Sequence, residues 1–178
     1  MLEFKGVRMG NSGDAGRIYD FLLNLYGENS VFALSERRSR ESIASCLNME
    51  QGTYGVTGLI EKDGKIVGAV GLRPSQMWYS DDWFLDELWN FVHPDHRNSD
   101  YAQRLIEFSQ WAATRLGLPL VMGIVTKKRL APKIRLYQRF MPQIGAYFIF
   151  GKQFDDIFQQ RKTLTKEERM NHMHEYCG

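Results

Sequence analysis

Cysteine is nearly absent from this 178-residue chain: the two present, Cys46 and Cys177, match no metal-ligand or redox spacing. A disulfide framework and a thiolate zinc site are thereby excluded, and both thiols are expected to be reduced. Long apolar runs are missing as well. Nothing approaches the ~20 residues of a membrane span, and Met1-Leu2-Glu3-Phe4-Lys5 lacks the apolar core of a signal peptide. No membrane partner and a cytoplasmic location are the expectation. Net charge is only +2, so a nucleic-acid binder with an extended basic face starts from a weak position. No internal repeat, low-complexity segment or linker divides the chain, which predicts one domain over 1–178. At 43% apolar and 25% charged residues the composition is globular, and a chain of this length buries roughly 70% of its unfolded surface.

What the chain does have is an uneven distribution of charge. From Phe108 to Phe154 there is no acidic residue, while Arg115, Lys127, Lys128, Arg129, Lys133, Arg135, Arg139 and Lys152 fall there. Between Asp81 and Asp100 the balance reverses, with Asp81, Asp82, Asp86, Glu87, Asp95 and Asp100 against Arg97. One region favours an anion and the other a cation.

Hydrophobic spacing predicts the elements. Residues 3–9 read as a strand. Ala15, Ile18, Tyr19, Leu22, Leu25 and Tyr26 follow the period of an amphipathic helix that stops at Gly27. A second helix is predicted from Ser39 to about Asn48. Thr53 to Glu61 and Lys65 to Leu72 read as strands joined at Lys62-Asp63-Gly64 by the Asp-Gly signal of a tight hairpin. After a loop over 74–82, Phe84 to Val92 is the central strand. The helix 101–116 carries Ala102, Leu105, Ile106, Ser109, Ala112, Ala113 and Leu116 on one face, with Gly117 as its stop. Leu118 to Val125 reads as a buried parallel strand, residues 132–140 as a helix ended by Pro142, and Ala146 to Gly151 as a last strand. The tail, 155–178, holds a polar helix from Thr165, opened by Thr165-x-x-Glu168. His172-x-His174 and Cys177 lie in that tail and fit no zinc pattern, so no metal is expected.

The passage from the strand ending at Val92 into the helix starting at Tyr101 is the most informative junction. It aims unpaired backbone N–H groups and a positive helix end at one point, a seat for phosphate. Its Arg97-x-x-Asp100-x-Ala102 resembles the Arg/Gln-x-x-Gly-x-Gly/Ala signature of GCN5-related N-acetyltransferases, and the order of elements is that of the same family. The resemblance is most specific over 84–150, which it makes the cofactor-binding core. It implies an α/β (α+β) single-domain fold with a mixed, twisted central sheet flanked by helices, and acetyl-CoA as cosubstrate. Phe91, Val92 and His93 would offer backbone groups to the pantetheine arm. Arg97, Asn98, Ser99, Asp100, Tyr101 and Ala102 would hold the pyrophosphate, with Thr126 and Lys133 on the cofactor side as well. Asp100 departs from the family's glycine, and Asp100-x-x-Gln103 predicts that its side chain caps the helix instead.

Lys133-Ile134-Arg135-Leu136-Tyr137-Gln138-Arg139-Phe140 resembles the family segment whose tyrosine protonates the departing thiolate, which places Tyr137 as general acid. Glu87, on the central strand among several acids, is the candidate base. Alternation puts 87, 89 and 91 on the side opposite 88, 90 and 92 unless a bulge intervenes, and Asn90 either binds substrate or stabilises such a bulge. Trp78, Tyr79, Trp83 and Trp89 form a dense aromatic group that lines a substrate pocket or completes the core. The function implied is direct acetyl transfer to an amine by a chain for which a homodimer is allowed. Two alternatives stay open: an inactive acyl-CoA-binding relative, and a nucleic-acid-modifying one that uses the basic 127–139 segment.

Overall fold

The computed structural model describes residues 3–29, 32–47, 55–126 and 129–148. The chain divides into two compact units, Met1–Pro142 and Gln143–Gly178. All helices and strands of the described residues belong to the first.

They are β1 (Glu3–Phe4), β2 (Val7–Met9), α1 (Ala15–Asn29), α2 (Glu36–Leu47), β3 (Val56–Lys62), β4 (Lys65–Gln76), β5 (Trp83–Val92), α3 (Tyr101–Leu116), β6 (Leu120–Val121) and α4 (Leu130–Gln138). The strands form one sheet in chain order, antiparallel from β1 to β5 and parallel between β5 and β6. This is the mixed α/β architecture expected from the sequence. Helices cover both faces. Leu105, Phe108 and Ala112 of α3 pack on Val70, Leu72 and Leu85, while Ile18 and Leu25 of α1 and Ile43 of α2 pack on Leu59, Ala69 and Trp89.

Several boundaries moved for local reasons. The first strand breaks into β1 and β2 because Lys5 and Gly6 both take positive φ and turn the chain. The β3–β4 hairpin forms as expected, with Asp63 and Gly64 at φ 52° and 74°, the left-handed pair such a turn requires. The helix α3 spans its predicted residues and ends at Gly117, φ 66°. The α1 helix runs through Gly27 to Asn29. The β4 strand continues past Leu72 and Pro74 to Gln76. Because Leu72 is the last β4 residue paired with β3, Pro74 lacks a neighbour on that side, and its missing N–H costs no ladder bond.

Two predicted strands are corrected. The segment 118–125 contributes only Leu120–Val121 to the sheet, since the chain parts from β5 afterwards. Residues 146–148 carry no strand: they are exposed, and no strand of the described residues offers acceptors to their N–H groups. The calls on Lys127 and Lys128, on 149–151 and on the tail helix, with His172, His174 and Cys177, lie outside the described residues.

One charged cluster ties β2, β3 and the start of α1 together. The Arg8 guanidinium donates to both carboxylate oxygens of buried Asp14, at 2.8 Å each, and to both of Glu61, at 2.9 Å each. Arg17 adds bonds to Asp14 and Glu61 at 3.2 and 2.5 Å. Asp14 also accepts the Asn11 N–H, completing a reciprocal cap before α1. The Arg8 hydrogen bonds hold Asp14 below the ordinary carboxylate range and bring Glu61 down to about 2.

Candidate active site

The strand β5 is paired on both edges only at its start. With β6 it pairs at Leu85–Leu120 and Asp86–Val121, and among the described residues no strand pairs with that edge from Glu87 to Val92, which leaves it open there. On the other edge the ladder with β4 is interrupted once. Trp89 pairs with Gly71 and Glu87 pairs with Leu72, so Leu88 is an extra residue without a partner. This bulge changes the phase of the strand. Upstream, Leu85 and Glu87 face α3; downstream, Asn90 and Val92 face α3, while Trp89 turns to the α1/α2 face. Glu87 and Asn90, three residues apart and on opposite sides of a regular strand, therefore share a side. Trp89 lies so close over Gly71 that a Cβ there would meet its ring at 2.1 Å.

The shared side holds a hydrogen-bonded cluster. The Tyr137 hydroxyl, brought in by α4, donates to the Glu87 carboxylate at 3.0–3.1 Å and accepts from Asn90 Nδ2 at 3.1 Å. All three side chains are half-buried. Burial pushes the Glu87 carboxyl up to about 8, opposed by the Tyr137 hydrogen bond and by the more distant charge of Lys133. Burial, reinforced by the Glu87 charge, likewise raises the Tyr137 hydroxyl well above its usual value. A carboxyl poised near neutrality and bonded to a phenol can accept a proton and hand one on.

Beside the cluster a cleft of about 190 Å³ is lined by Asn90, Phe91, Val92, Arg97, Ala102, Arg129, Pro132, Lys133, Leu136 and Tyr137. The His93 N–H donates to the Val67 carbonyl across the ladder, and its own carbonyl accepts from His96. By alternation the backbone groups of Val92 and Asn90 point the other way, to the open edge, where Arg97 Nε reaches the Val92 carbonyl at 3.4 Å. Lys133 Nζ donates to Thr126 Oγ1 at 3.2 Å, which keeps the ammonium at the cleft wall.

The loop before α3 is exposed at Asn98, Ser99 and Asp100. Ser99 Oγ accepts the Tyr101 N–H at 3.2 Å, and the first helical bond runs from Arg104 N–H to the Asp100 carbonyl, which leaves the amides of Ala102 and Gln103 outside the helical ladder. Asp100 makes no side-chain cap, correcting that expectation: its carboxylate turns to Arg104, 3.8 Å away. Its φ of −82° also needs no glycine. Tyr101 packs beside the His96 ring, with centroids 5.9 Å apart.

Phe91, Val92, Arg97, Ala102, Lys133 and Tyr137 thus come together in one cleft, with Thr126 tied to it and Glu87 joined through Tyr137. His93, Asn98, Ser99, Asp100 and Tyr101 stand in or beside the loop and do not line the cleft. Sequence reading did not place Pro132 or Leu136 here; their apolar character marked only the helix. Trp78, Tyr79 and Trp83 are exposed, whereas Trp89 is core.

Comparison with known proteins agrees with this fold. Residues 54–140 match the family model described as the acetyltransferase (GNAT) domain. No curated protein matches the chain significantly. Among solved structures, the chain is similar to a ribosomal-protein-alanine N-acetyltransferase from Brucella melitensis biovar Abortus 2308, at 19% identity over 82% of this chain and 98% of that one, with a TM-score of 0.55. It is similar to AAC(6′)-Iy in complex with the bisubstrate analogue CoA-S-monomethyl-acetylneamine, at 14% identity over 82% and 97% of the two chains, with a TM-score of 0.60. An integron cassette protein from the mobile metagenome of Cole Harbour Salt Marsh matches at 16% identity, 83% and 89% coverage and a TM-score of 0.61. At such identities the likeness is one of fold.

Proposed function

We propose that this chain, whose residues 54–140 match the acetyltransferase (GNAT) domain model, transfers an acetyl group from acetyl-CoA directly to an amine. The observation that carries this reading is the Glu87–Tyr137–Asn90 cluster set against the open edge of β5.

The residues present fit the cosubstrate. The backbone of Asn90 and the N–H of Val92, which no strand pairs among the described residues, offer strand-like hydrogen bonds to an amide-bearing arm, beside the Val92 carbonyl that Arg97 holds. Arg97, the free amides at the start of α3 and the small side chain of Ala102 suit a pyrophosphate, and Arg129 and Lys133 add positive charge at the cleft wall. When bound, acetyl-CoA supplies an electrophilic thioester carbonyl and a thiolate leaving group. Glu87 accepts a proton from the incoming amine, directly or through Tyr137. Tyr137 gives its hydroxyl proton to the sulfur as the C–S bond breaks and regains one from Glu87, so a single proton passes from nitrogen to sulfur. A covalent acyl-enzyme is not part of this reading. Cys46 is buried, and desolvation pushes its thiol up to about 12, which leaves no useful thiolate.

The test has two arms. Acetyl-CoA and desulfo-CoA should each raise the melting temperature, because a ligand of the folded state stabilises it by mass action. Acetyl-CoA with an amine panel should then release free thiol and give amides detectable by mass spectrometry. No thermal shift with either compound at millimolar concentration rejects the cosubstrate. Binding without thiol release from any amine points to a non-catalytic relative.

A further inference from the structure

The transfer chemistry uses Glu87 and Tyr137, and it leaves the third member of their cluster, Asn90, without a part. Asn90 is half-buried and lines the cleft. Among the described residues its side chain makes one hydrogen bond, from Nδ2 to the Tyr137 hydroxyl at 3.1 Å. An amide nitrogen can only donate, so the phenol oxygen accepts there whatever the state of its other neighbour. That neighbour is the Glu87 carboxylate, at 3.0–3.1 Å from the same oxygen. Asp86, next to Glu87 on β5, opposes the Glu87 charge, and Lys133 on α4 favours it. The strand gives up a ladder position at Leu88 to bring Glu87 and Asn90 to one side, where both meet this hydroxyl.

A phenol oxygen carries one proton and two lone pairs, and Asn90 holds one lone pair permanently. While Glu87 is ionised it is the strongest acceptor in reach, and the Tyr137 proton lies on it. The cleft is offered no proton in that state. Once Glu87 is protonated, its O–H is a stronger donor than a phenol and takes the remaining lone pair. The Tyr137 proton then has one direction left, the one that neither neighbour occupies, and Tyr137 is itself a wall of the cleft. Without Asn90 a second direction would stand open, and the proton would divide between the two.

We propose that Asn90 is a positioning residue that makes the Tyr137 hydroxyl a two-position switch, its proton lying on Glu87 while Glu87 is ionised and turning to the cleft once Glu87 has taken a proton. What the turned proton meets rests on the transfer reading. There the attacking nitrogen gives a proton to Glu87 and forms its bond to the acetyl carbon. The Tyr137 proton bonds to sulfur as the C–S bond breaks, and the Glu87 proton replaces it on the phenol oxygen. One proton has moved from nitrogen to sulfur, and Glu87 is ionised again. The order is fixed: the leaving group is offered no acid until the acceptor has given up its proton.

The switch is read first without any ligand, from the ζ-carbon resonance of Tyr137 in isotope-labelled chain, assigned by its loss in Tyr137→Phe. That resonance should move as pH crosses about 8, where Glu87 titrates and the phenol, held above its usual value, does not. Glu87→Gln should abolish the movement and Asn90→Leu should shrink it. With acetyl-CoA and an amine, Asn90→Leu should slow single-turnover transfer by about tenfold or more, while CoA affinity stays within about threefold. In the Tyr137→Phe chain the same replacement should cost less than about threefold, because Asn90 acts through the phenol. Asn90→Asp keeps the shape and replaces the donor by an acceptor, so it should slow transfer at least as much. The proposal is overturned if the parental resonance does not move near pH 8, if it moves equally in Asn90→Leu, if Asn90→Asp transfers at the parental rate, or if Asn90→Leu costs as much without the phenol as with it. A resonance that moves through Glu87 and Asn90, without thiol release from any amine, supports the switch and rejects the transfer reading. Thiol release beside a resonance that stays still does the reverse.

Discussion

Glu61 and Glu87 sit on strands of one sheet, each within a hydrogen-bonded cluster, and their carboxyls move in opposite directions. Glu61 meets the guanidinium groups of Arg8 and Arg17 and falls to about 2. Glu87 meets a phenol and rises to about 8, since burial there is answered only by Tyr137 and a distant Lys133. The first cluster closes on itself: every carboxylate oxygen of Asp14 and Glu61 has a guanidinium N–H, and the charges lock β2, β3 and the entry to α1. The second withholds the cation that would pin its proton. A carboxylate held by cations is a tie, and a half-buried one held by a hydroxyl can exchange a proton.

The sharpest way to break this contrast is to remove the exchanging groups. Tyr137→Phe and Glu87→Gln should each lower single-turnover acetyl transfer by roughly 10²–10⁴-fold, the span of lost acid–base assistance, with CoA affinity and folding little changed. Single-turnover rates within about threefold of the parent would make Tyr137 and Glu87 packing residues.

The converse change is Arg8→Ala, which strips two carboxylates of their main cation. Unfolding by urea should show a loss of about 3 kcal/mol, because Asp14 is left buried with only the more exposed Arg17 as partner. A loss below about 1 kcal/mol would place the cluster among surface ion pairs.

Titration should separate the two clusters by sign. Asp14 and Glu61 are lowered, so their stabilisation is present above the ordinary carboxylate range and is lost as pH falls below it, for Glu61 on the way to about 2. Glu87 is raised, so its contribution is complete below about 4.5 and declines as pH rises through about 8. Melting temperature against pH should lose the alkaline decline in Glu87→Gln and keep the acid one. Transfer in the parent should climb with an inflection near 8 that this variant lacks.

The smallest effect is expected at Asp100→Gly. The side chain caps nothing and the backbone is ordinary, so stability should change by less than about 1 kcal/mol, from added chain freedom and the loss of the exposed pair with Arg104. A larger loss would restore the capping role that its spacing suggested.

Features written in local chemistry were legible before the fold was known. The period of Leu105, Phe108 and Ala112 located α3, Gly117 ended it, and Asp63-Gly64 turned the hairpin. The phosphate seat followed from a strand running into a helix. What depended on a distant partner was not legible. Leu118–Val125 has the composition of a strand throughout, but its length was set by where β5 stopped accepting it. Glu87 and Tyr137 were each singled out, and nothing in their spacing said that they touch. The run of β4 past Leu72 went unnoticed because Pro74 argued for a loop, an argument that holds only when both strand edges are occupied.

The unpaired Leu88 makes the protein indifferent to one kind of mutation and intolerant of another. Its identity matters little, since any apolar side chain keeps the count. Its presence is indispensable: excise it, and the chain must either turn Glu87 away from Tyr137 or rotate everything from Trp89 to Val92, exposing the indole and burying Asn90. The chemistry of this strand is encoded as arithmetic, in an odd residue that makes two half-strands add up, and a lineage can drift freely at that position while remaining unable to shorten it.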